Sequence, residues 1–193
     1  VRSSIIEPFV NGMKRAGLNP NPILIAVGLK TYMSSSVDGF IPTQLWYNFA
    51  EEAAREAKDP YFGYGIGVHS AIETIPHLNI LKMPRATLVE LLTTMVINSH
   101  FMATSANYEF GTDGNWAELK TMRTFRPTSQ PTQIDAFFYG FMLLIFKLCL
   151  GEDWDGTELI AKVSDPETIP RTDAPAAVLQ TAPMSGAVFR FPA

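Results

Sequence analysis

Residues 136–150, AFFYGFMLLIFKLCL, decide the fold; they are the most apolar run in the chain, and Lys147 is their one charged side chain. A helix that spans a bilayer needs about 18 or more apolar residues, and shorter runs are usually buried core helices. Thr132-Gln-Ile-Asp135 precedes the run with the spacing of a helix cap, and Gly151 is a typical helix stop. We therefore predict a long buried helix here and no contact with a membrane.

The chain before this helix shows helical patterns of its own. Apolar side chains recur at helical spacing in residues 5–16, 22–27 and 42–57. Thr87 and Glu90 have the spacing of a capping box and open a further predicted helix that continues to about Thr104. The first half of the chain is therefore predicted to be helical.

Strands are predicted around glycine-containing turns in the second half. Residues 107–110 and 116–125 flank Gly111-Thr-Asp-Gly114, a pattern that predicts a β-hairpin. Short strands are expected at residues 159–163 and 187–191, with a short helix at 173–181 between them. The fold class is α+β, a helical N-terminal half followed by a mixed strand and helix region around one long apolar helix. No linker separates these parts, so residues 1–193 are expected to form a single domain.

Charge and cysteine content exclude several functions. The 193 residues include 15 Lys and Arg against 19 Asp and Glu, which gives a net charge of −4. A domain that binds nucleic acid through its phosphates is normally basic, so this chain is not expected to contact DNA itself. The single cysteine, Cys149, excludes a disulfide framework and is typical of a protein in the reducing cytoplasm.

No motif for catalysis or cofactor binding is complete. Gly63-Tyr-Gly-Ile-Gly67 lacks the GxGxxG spacing of a dinucleotide site and is interpreted as a tight turn. It lies in residues 61–77, where a turn with a short strand or helix is expected. His69, His77 and His100 lack the spacing of metal ligands, and no GxSxG nucleophile motif occurs. Cys149 lies in the apolar run, where burial keeps a thiol protonated. The sequence therefore predicts no catalytic residue, no metal site and no cofactor.

Aromatic residues exceed what a core of this size needs, with 13 Phe, 6 Tyr and 3 Trp. Most belong to the core, and a minority are expected to line an apolar pocket in which a few polar groups orient a ligand. The predicted pocket lies beneath the capped helix and the hairpin. Its candidate ligand-binding residues are His100, Phe101, Tyr108, Trp116, Arg123 and Phe138.

Four stretches occur in an order that resembles one family of regulator domains. They are LNPNPILIAVGL (18–29), IPTQLWYNFAEEAAREAKDPYFGYGIG (41–67), ATLVELLTTMVINSHFMAT (86–104) and APAAVLQTAPMSGAVFRFPA (174–193). Over residues 18–193 the chain resembles the N-terminal effector-binding and dimerisation domain of AraC/XylS-type transcriptional regulators, in the group labelled arabinose-binding.

This resemblance implies a cytoplasmic sensor that controls transcription, not an enzyme. Its implied partners are a small-molecule effector and a second copy of the chain, and DNA would be bound only through a C-terminal helix-turn-helix domain that this chain lacks. The aromatic content leads us to expect a small, largely apolar effector instead of a sugar. A ligand-free dimerisation module and a small enzyme are the alternatives.

Overall fold

The computed structural model describes residues 1–33, 38–70, 87–171, 178–182 and 184–193. The helices in these ranges are α1 (Glu7–Arg15), α2 (Asn21–Ala26), α3 (Lys30–Met33), α4 (Thr43–Ala57), α5 (Phe62–Val68), α6 (Leu88–Met102) and α7 (Thr132–Leu150). The strands are β1 (Ala106–Asp113), β2 (Trp116–Arg123), β3 (Ile160–Val163), β4 (Val178–Thr181) and β5 (Val188–Pro192). Helices occupy the N-terminal half and strands follow, so the prediction of an α+β fold is confirmed.

Helix α7 is the central element predicted from the apolar run. It has 19 residues and, by length and composition alone, it could cross a membrane, with a mean hydropathy of 1.6 over its most apolar window. In the structure, 61% of that window is buried by the rest of the chain. The core helix of a soluble protein meets the same test, and burial against the chain's own side chains is typical of such a helix.

Two hydrophobic cores meet at α7. The largest fully buried members of the sheet-side core, between α6, α7 and the strands, are Leu91, Leu92, Leu119, Tyr139, Phe146 and Phe189. The largest fully buried members of the helical core, among α1, α2 and α4, are Ile6, Phe9, Met13, Leu29, Trp46 and Phe49. Helix α7 contributes Phe137 to the helical core and Tyr139 to the sheet-side core, so it joins the two.

The five strands form one mixed sheet in the order β1-β2-β5-β3-β4. Strands β1 and β2 form the predicted hairpin, whose register ends with Asp113 opposite Trp116 around Gly114 at φ +60°. Glycine adopts this left-handed conformation without strain, as a tight hairpin turn requires. The other neighbouring strands pair antiparallel except β3 and β4, which run parallel.

The end of the predicted short helix at 173–181 is a strand instead. Residues 178–181 form β4, where Val178 pairs with Ile160 and Thr181 pairs with Val163. Residues 173–177 of that prediction lie outside the described part of the chain. The helical prediction for β4 was wrong because a strand this short is fixed by its partner strand and not by its own side-chain pattern.

The glycine-rich segment predicted as a tight turn is helix α5, packed against α7 with backbones in contact. A Cβ atom at Gly63 would lie 2.1 Å from the carbonyl oxygen of Gln133, and one at Gly67 would lie 2.2 Å from that of Phe137. On α7, Gly140 faces the α5 backbone, and a Cβ atom there would lie 2.6 Å from the carbonyl oxygen of Tyr64. The tight-turn interpretation was wrong, and of the two alternatives for residues 61–77 the short helix is the one present. These glycines permit a close helix contact, a role that spacing along one segment does not reveal.

The N-terminus of α7 is capped from another helix. The sequence predicted a cap from Thr132, but the N-cap position is Pro131 and no side chain of the segment caps it. Instead the carboxylate of Glu51, on α4, accepts hydrogen bonds of 2.8 Å from the Thr132 hydroxyl and from the Gln133 amide. A carboxylate at this position satisfies free amides and interacts favourably with the helix dipole. The predicted cap of α6 is present, with Glu90 N–H donating to the Thr87 hydroxyl at 3.2 Å.

Candidate functional site

A partly open cavity of about 90 Å³ lies where the two cores meet, between α4, the β1–β2 hairpin and the first turns of α7. Its apolar lining consists of Ile5, Trp46, Ala106, Ile134, Phe137 and Phe138. Its polar lining consists of Tyr47, Tyr108, Thr121, Arg123 and Asp135. A mostly apolar concave surface with a few convergent polar groups is the usual construction of a small-molecule site.

A buried ion pair forms the polar wall of the cavity. The Arg123 guanidinium donates through Nη2 to Oδ1 of Asp135, and the two side chains are only 5% and 4% exposed. The Ser164 amide donates to Oδ2 of Asp135 at 3.1 Å. Arg123 also donates from Nη1 to the Met184 carbonyl at 2.9 Å and from Nε to the Tyr47 hydroxyl at 3.3 Å. The pair therefore ties β2 to α7, to α4 and to two connecting segments.

Arg123 keeps its charge in the buried setting. Burial alone would lower the pKa of Arg123, but the Asp135 carboxylate and the Tyr47 hydroxyl raise it above its ordinary value. An unpaired buried charge costs several kcal/mol, whereas a paired and hydrogen-bonded one is tolerated. In the polar wall, the positive charge of Arg123 is therefore offset by the carboxylate of Asp135.

Two tyrosine hydroxyls complete the polar lining. Burial raises the pKa of Tyr108 to about 12, with a further increase from nearby Tyr47, so this phenol is protonated at neutral pH. Burial also raises the pKa of Tyr47, although the Arg123 charge opposes the shift. The Tyr108 ring meets that of Phe138 edge to face at 6.0 Å. The cavity therefore presents two neutral hydrogen-bond donors beside aromatic surface.

A family model described as the N-terminal arabinose-binding domain of AraC transcription regulators matches residues 17–187. The chain belongs to this family. The resemblance of the sequence motifs to AraC-type regulators is therefore confirmed. No curated protein matches this AraC-type chain.

A solved structure shares the fold of this AraC-type domain. The transcriptional regulator CdpR from Pseudomonas aeruginosa superposes with a TM-score of 0.64 at 12% sequence identity. The match covers 98% of this chain and 55% of the CdpR chain, so the chain spans about half the length of that regulator. At this identity the likeness concerns the fold.

Half of the predicted ligand-binding residues of the AraC-type domain line the cavity. Tyr108 and Arg123 come from the two strands of the hairpin, and Phe138 comes from α7. The alternation of strand side chains places Tyr108 and Arg123 on the side of the hairpin that faces α7. These residues come together because the hairpin packs across the first turns of the apolar helix.

The other predicted residues lie elsewhere. His100 and Phe101 are exposed in the last turn of α6, with their rings 4.0 Å apart, and the Phe101 carbonyl accepts a hydrogen bond from Arg2. Trp116 begins β2 at the far end of the hairpin, where the Arg190 guanidinium lies 5.1 Å above its ring. The structure does not bring these three residues to the cavity.

Eight of the eleven residues that line the cavity were not predicted, and three of them are the most informative. Asp135 carried a signal, because it is the one acidic residue in an otherwise apolar helix, but that signal was attributed to a helix cap. Trp46 and Tyr47 carried none, since they look like ordinary apolar positions of α4 and reach the cavity only through tertiary packing.

Other chemistry has little support in the described part of the chain. Within it, no group of three or more His, Cys, Asp and Glu side chains is placed to hold a metal ion. His77 lies outside the described residues. Burial raises the pKa of the Cys149 thiol, which keeps this group in its less reactive form.

Proposed function

We propose that this AraC-type domain is the effector-sensing part of a transcription regulator and that it binds a small, largely apolar molecule in the cavity between α4, the hairpin and α7. The observation that supports the proposal is the cavity itself, with aromatic and aliphatic walls and a short polar wall. The position of the cavity supports it too, because a molecule bound there contacts both cores.

The size of the cavity limits the effector. At about 90 Å³ it is smaller than the roughly 150 Å³ engineered cavity that holds benzene. A single ring or a short branched chain would extend to the mouth of the cavity, and a larger molecule would place only one end inside. We therefore propose an effector of about one ring, or a larger one with a small buried end.

The regulatory step would be a change in the arrangement of two copies of the chain. An effector shifts such an equilibrium only if it binds one arrangement more tightly than the other. Family membership supports a homodimer, and the net charge of −4 supports a role for DNA-binding residues outside this chain. We propose a cytoplasmic location on the same family basis.

Thermal unfolding with a panel of metabolites tests the effector proposal. A ligand that binds the folded state raises the temperature midpoint of unfolding. At a ligand concentration of 100 times the dissociation constant, the free energy of unfolding increases by about 2.7 kcal/mol. Ala106→Leu fills the cavity and should abolish the rise, whereas Thr112→Leu, an exposed substitution on the same strand, should preserve it. A panel without one stabilising compound would contradict the proposal.

A ligand-free dimerisation module is the second candidate, and the small volume of the cavity favours it. This module would dimerise in sedimentation experiments, and its unfolding midpoint would not respond to the panel. A sensor would show both dimerisation and a response.

A further inference from the structure

We propose that the cavity selects uncharged molecules that present one hydrogen-bond-accepting oxygen, a carbonyl or a hydroxyl, and that it rejects carboxylates despite the arginine in its wall. The inference rests on the proposed function, because it names the chemical class of the effector for the same cavity. The reasons are the charge balance of the polar wall, the donors that are left over, and the apolar character of the rest.

The charge balance comes from Asp135. Its carboxylate pairs with Arg123 in a setting where both side chains are at least nine-tenths buried, so the wall offers no net positive charge to an anion. A ligand carboxylate beside Arg123 would also lie close to the Asp135 carboxylate. The two carboxylates would repel each other strongly in a site with little water. Binding would also remove the water that hydrates the ligand anion.

Most hydrogen-bonding groups of the wall are already engaged. Arg123 uses three of its five N–H groups, one each on Nε, Nη1 and Nη2, and each oxygen of Asp135 accepts one bond. The Thr121 hydroxyl donates to the Ala187 carbonyl and accepts from the Ala187 amide.

The phenols of Tyr47 and Tyr108 supply uncharged donors, beside the two N–H groups of Arg123 that those bonds leave. Tyr47 accepts from Arg123 and keeps its own proton to donate. Within the described ranges, we find no hydrogen-bond partner for the hydroxyl of Tyr108, a residue of the cavity lining. Two O–H groups from the same lining can donate to one oxygen that has two lone pairs.

The rest of the lining is apolar surface, against which any further polar group of a ligand would lack a hydrogen-bond partner. Trp46, Phe137 and Phe138 offer rings, and Ile5 and Ile134 offer aliphatic side chains. A sugar would bury several hydroxyls against these side chains without partners, at a free-energy cost for each one. The polar end of the ligand is therefore small, and its body is apolar.

Benzamide and benzoate are suitable probes, because they share one shape and differ in charge. We expect benzamide to bind the wild-type chain at least tenfold more tightly than benzoate, measured by saturation-transfer NMR titration. L-arabinose serves as the sugar probe and should bind more weakly than benzamide.

Asp135→Asn tests the role of the charge balance. The substitution keeps the size of the side chain and leaves the Arg123 charge uncompensated, so the preference should reverse in favour of benzoate. A matched pair of tyrosine variants covers the case in which this variant does not fold. Tyr108→Phe should weaken benzamide binding by about three- to tenfold through the loss of one hydrogen bond. Tyr139→Phe, a buried tyrosine that does not line the cavity, should leave benzamide binding unchanged.

The outcomes separate this inference from the proposed function. Tighter binding of benzoate or of arabinose to the wild-type chain would overturn the inference and would leave a small-molecule site in place. Equal effects of Tyr108→Phe and Tyr139→Phe would overturn it too. The absence of binding by all three probes would count against the inference and the proposed site together.

Discussion

At the scale of single residues, the Arg123–Asp135 pair is the feature whose chemistry most affects both stability and the site. Both side chains are almost fully buried, and each has further hydrogen-bond partners. Removal of one partner from such a pair typically costs about 3–5 kcal/mol, because the other charge stays buried and unpaired. Breaking this buried pair should therefore lower the free energy of unfolding far more than breaking an exposed ion pair does.

We predict that Arg123→Met destabilises the chain by about 3–5 kcal/mol, measured by urea unfolding. The double variant Arg123→Met/Asp135→Leu should cost clearly less than the sum of the two single variants, because no charge is left unpaired. The exposed pair Arg171–Glu167 is the control, and Arg171→Met should change stability by less than about 1 kcal/mol. Additive single effects at the buried pair would contradict the prediction.

Glu51 has a pH-dependent effect that follows from its burial. Burial raises the pKa of Glu51 above its ordinary value, although hydrogen bonds from Gln133 and Thr132 oppose the shift. The folded state therefore binds more protons than the unfolded state over a pH window. This window begins near pH 4, the ordinary pKa of a glutamate, and ends at the raised pKa of Glu51 in the folded state. This contribution to stability is present below that window and is lost as the pH rises through the raised pKa.

Accordingly, the stability advantage of the wild-type chain over Glu51→Gln should shrink as the pH rises across this window. The introduced side-chain amide keeps an oxygen that can accept from the Gln133 backbone amide, so the substitution removes mainly the titrating proton. Urea unfolding at a series of pH values measures the effect. An advantage that grows with pH would show that the hydrogen bonds outweigh burial.

At the scale of elements, the contact between α5 and α7 depends on residues without side chains. Gly63 and Gly67 lie one turn apart on α5, and both face the α7 backbone. Gly65 lies between them and has no atom within 4 Å of the position a Cβ would take. The same helix therefore contains glycines with opposite roles.

We predict that Gly67→Ala destabilises the chain by about 3 kcal/mol, because the helices must separate to admit a methyl group. Gly65→Ala should be neutral or stabilise by up to about 1 kcal/mol, because alanine favours the helix and meets no neighbour. Chemical unfolding of the two variants checks the contrast. Equal effects would show that the helices are not in backbone contact.

The cap of α6 gives a smaller effect. Thr87→Ala removes the hydroxyl that accepts from the Glu90 amide and should cost about 1 kcal/mol. Thr93→Ala, an exposed position within the same helix, should have no comparable cost. Thermal unfolding of the two variants measures the difference, and an equal loss from both would contradict a capping role.

These elements show what the sequence could reveal. Helix α6, helix α7 and the hairpin were predicted because each has a local cause: a capping box, an apolar run and a turn between apolar strands. Strand β4 was not predicted, and helix α5 was only one of two alternatives, because β4 is explained only by β3 and the glycines of α5 only by the α7 backbone.

In the candidate site, too, the residues with a local signal in the sequence were predicted and those placed by distant contacts were not. Tyr108, Arg123 and Phe138 were predicted from an aromatic cluster that is local in sequence. The contribution of α4 could not be predicted, because Trp46 and Tyr47 reach the cavity across contacts distant in sequence. His100 and Phe101 were candidates because the pocket was expected beneath the capped helix and the hairpin, but the end of α6 leaves them exposed.

At the scale of the whole molecule, the cavity lies between the helical core and the sheet-side core. Trp46 belongs to the helical core, while Tyr108 packs against the sheet-side core, and both line the cavity. A molecule bound there would lose contacts if either core opened. Binding should therefore couple the opening of the two cores, which is a physical route from a small ligand to a change in a large assembly.

We predict that a stabilising ligand slows amide hydrogen exchange in both α4 and the hairpin. At a ligand concentration of 100 times the dissociation constant, the free energy of opening should rise by up to about 2.7 kcal/mol. Peptides from Thr43–Ala57 and from 106–123 report the two sides of the cavity. Ala106→Leu, with the cavity filled, should show no ligand effect on either peptide. Protection on only one side would mean that the cores open independently, and the ligand would then have no physical means of acting on the whole domain through this cavity.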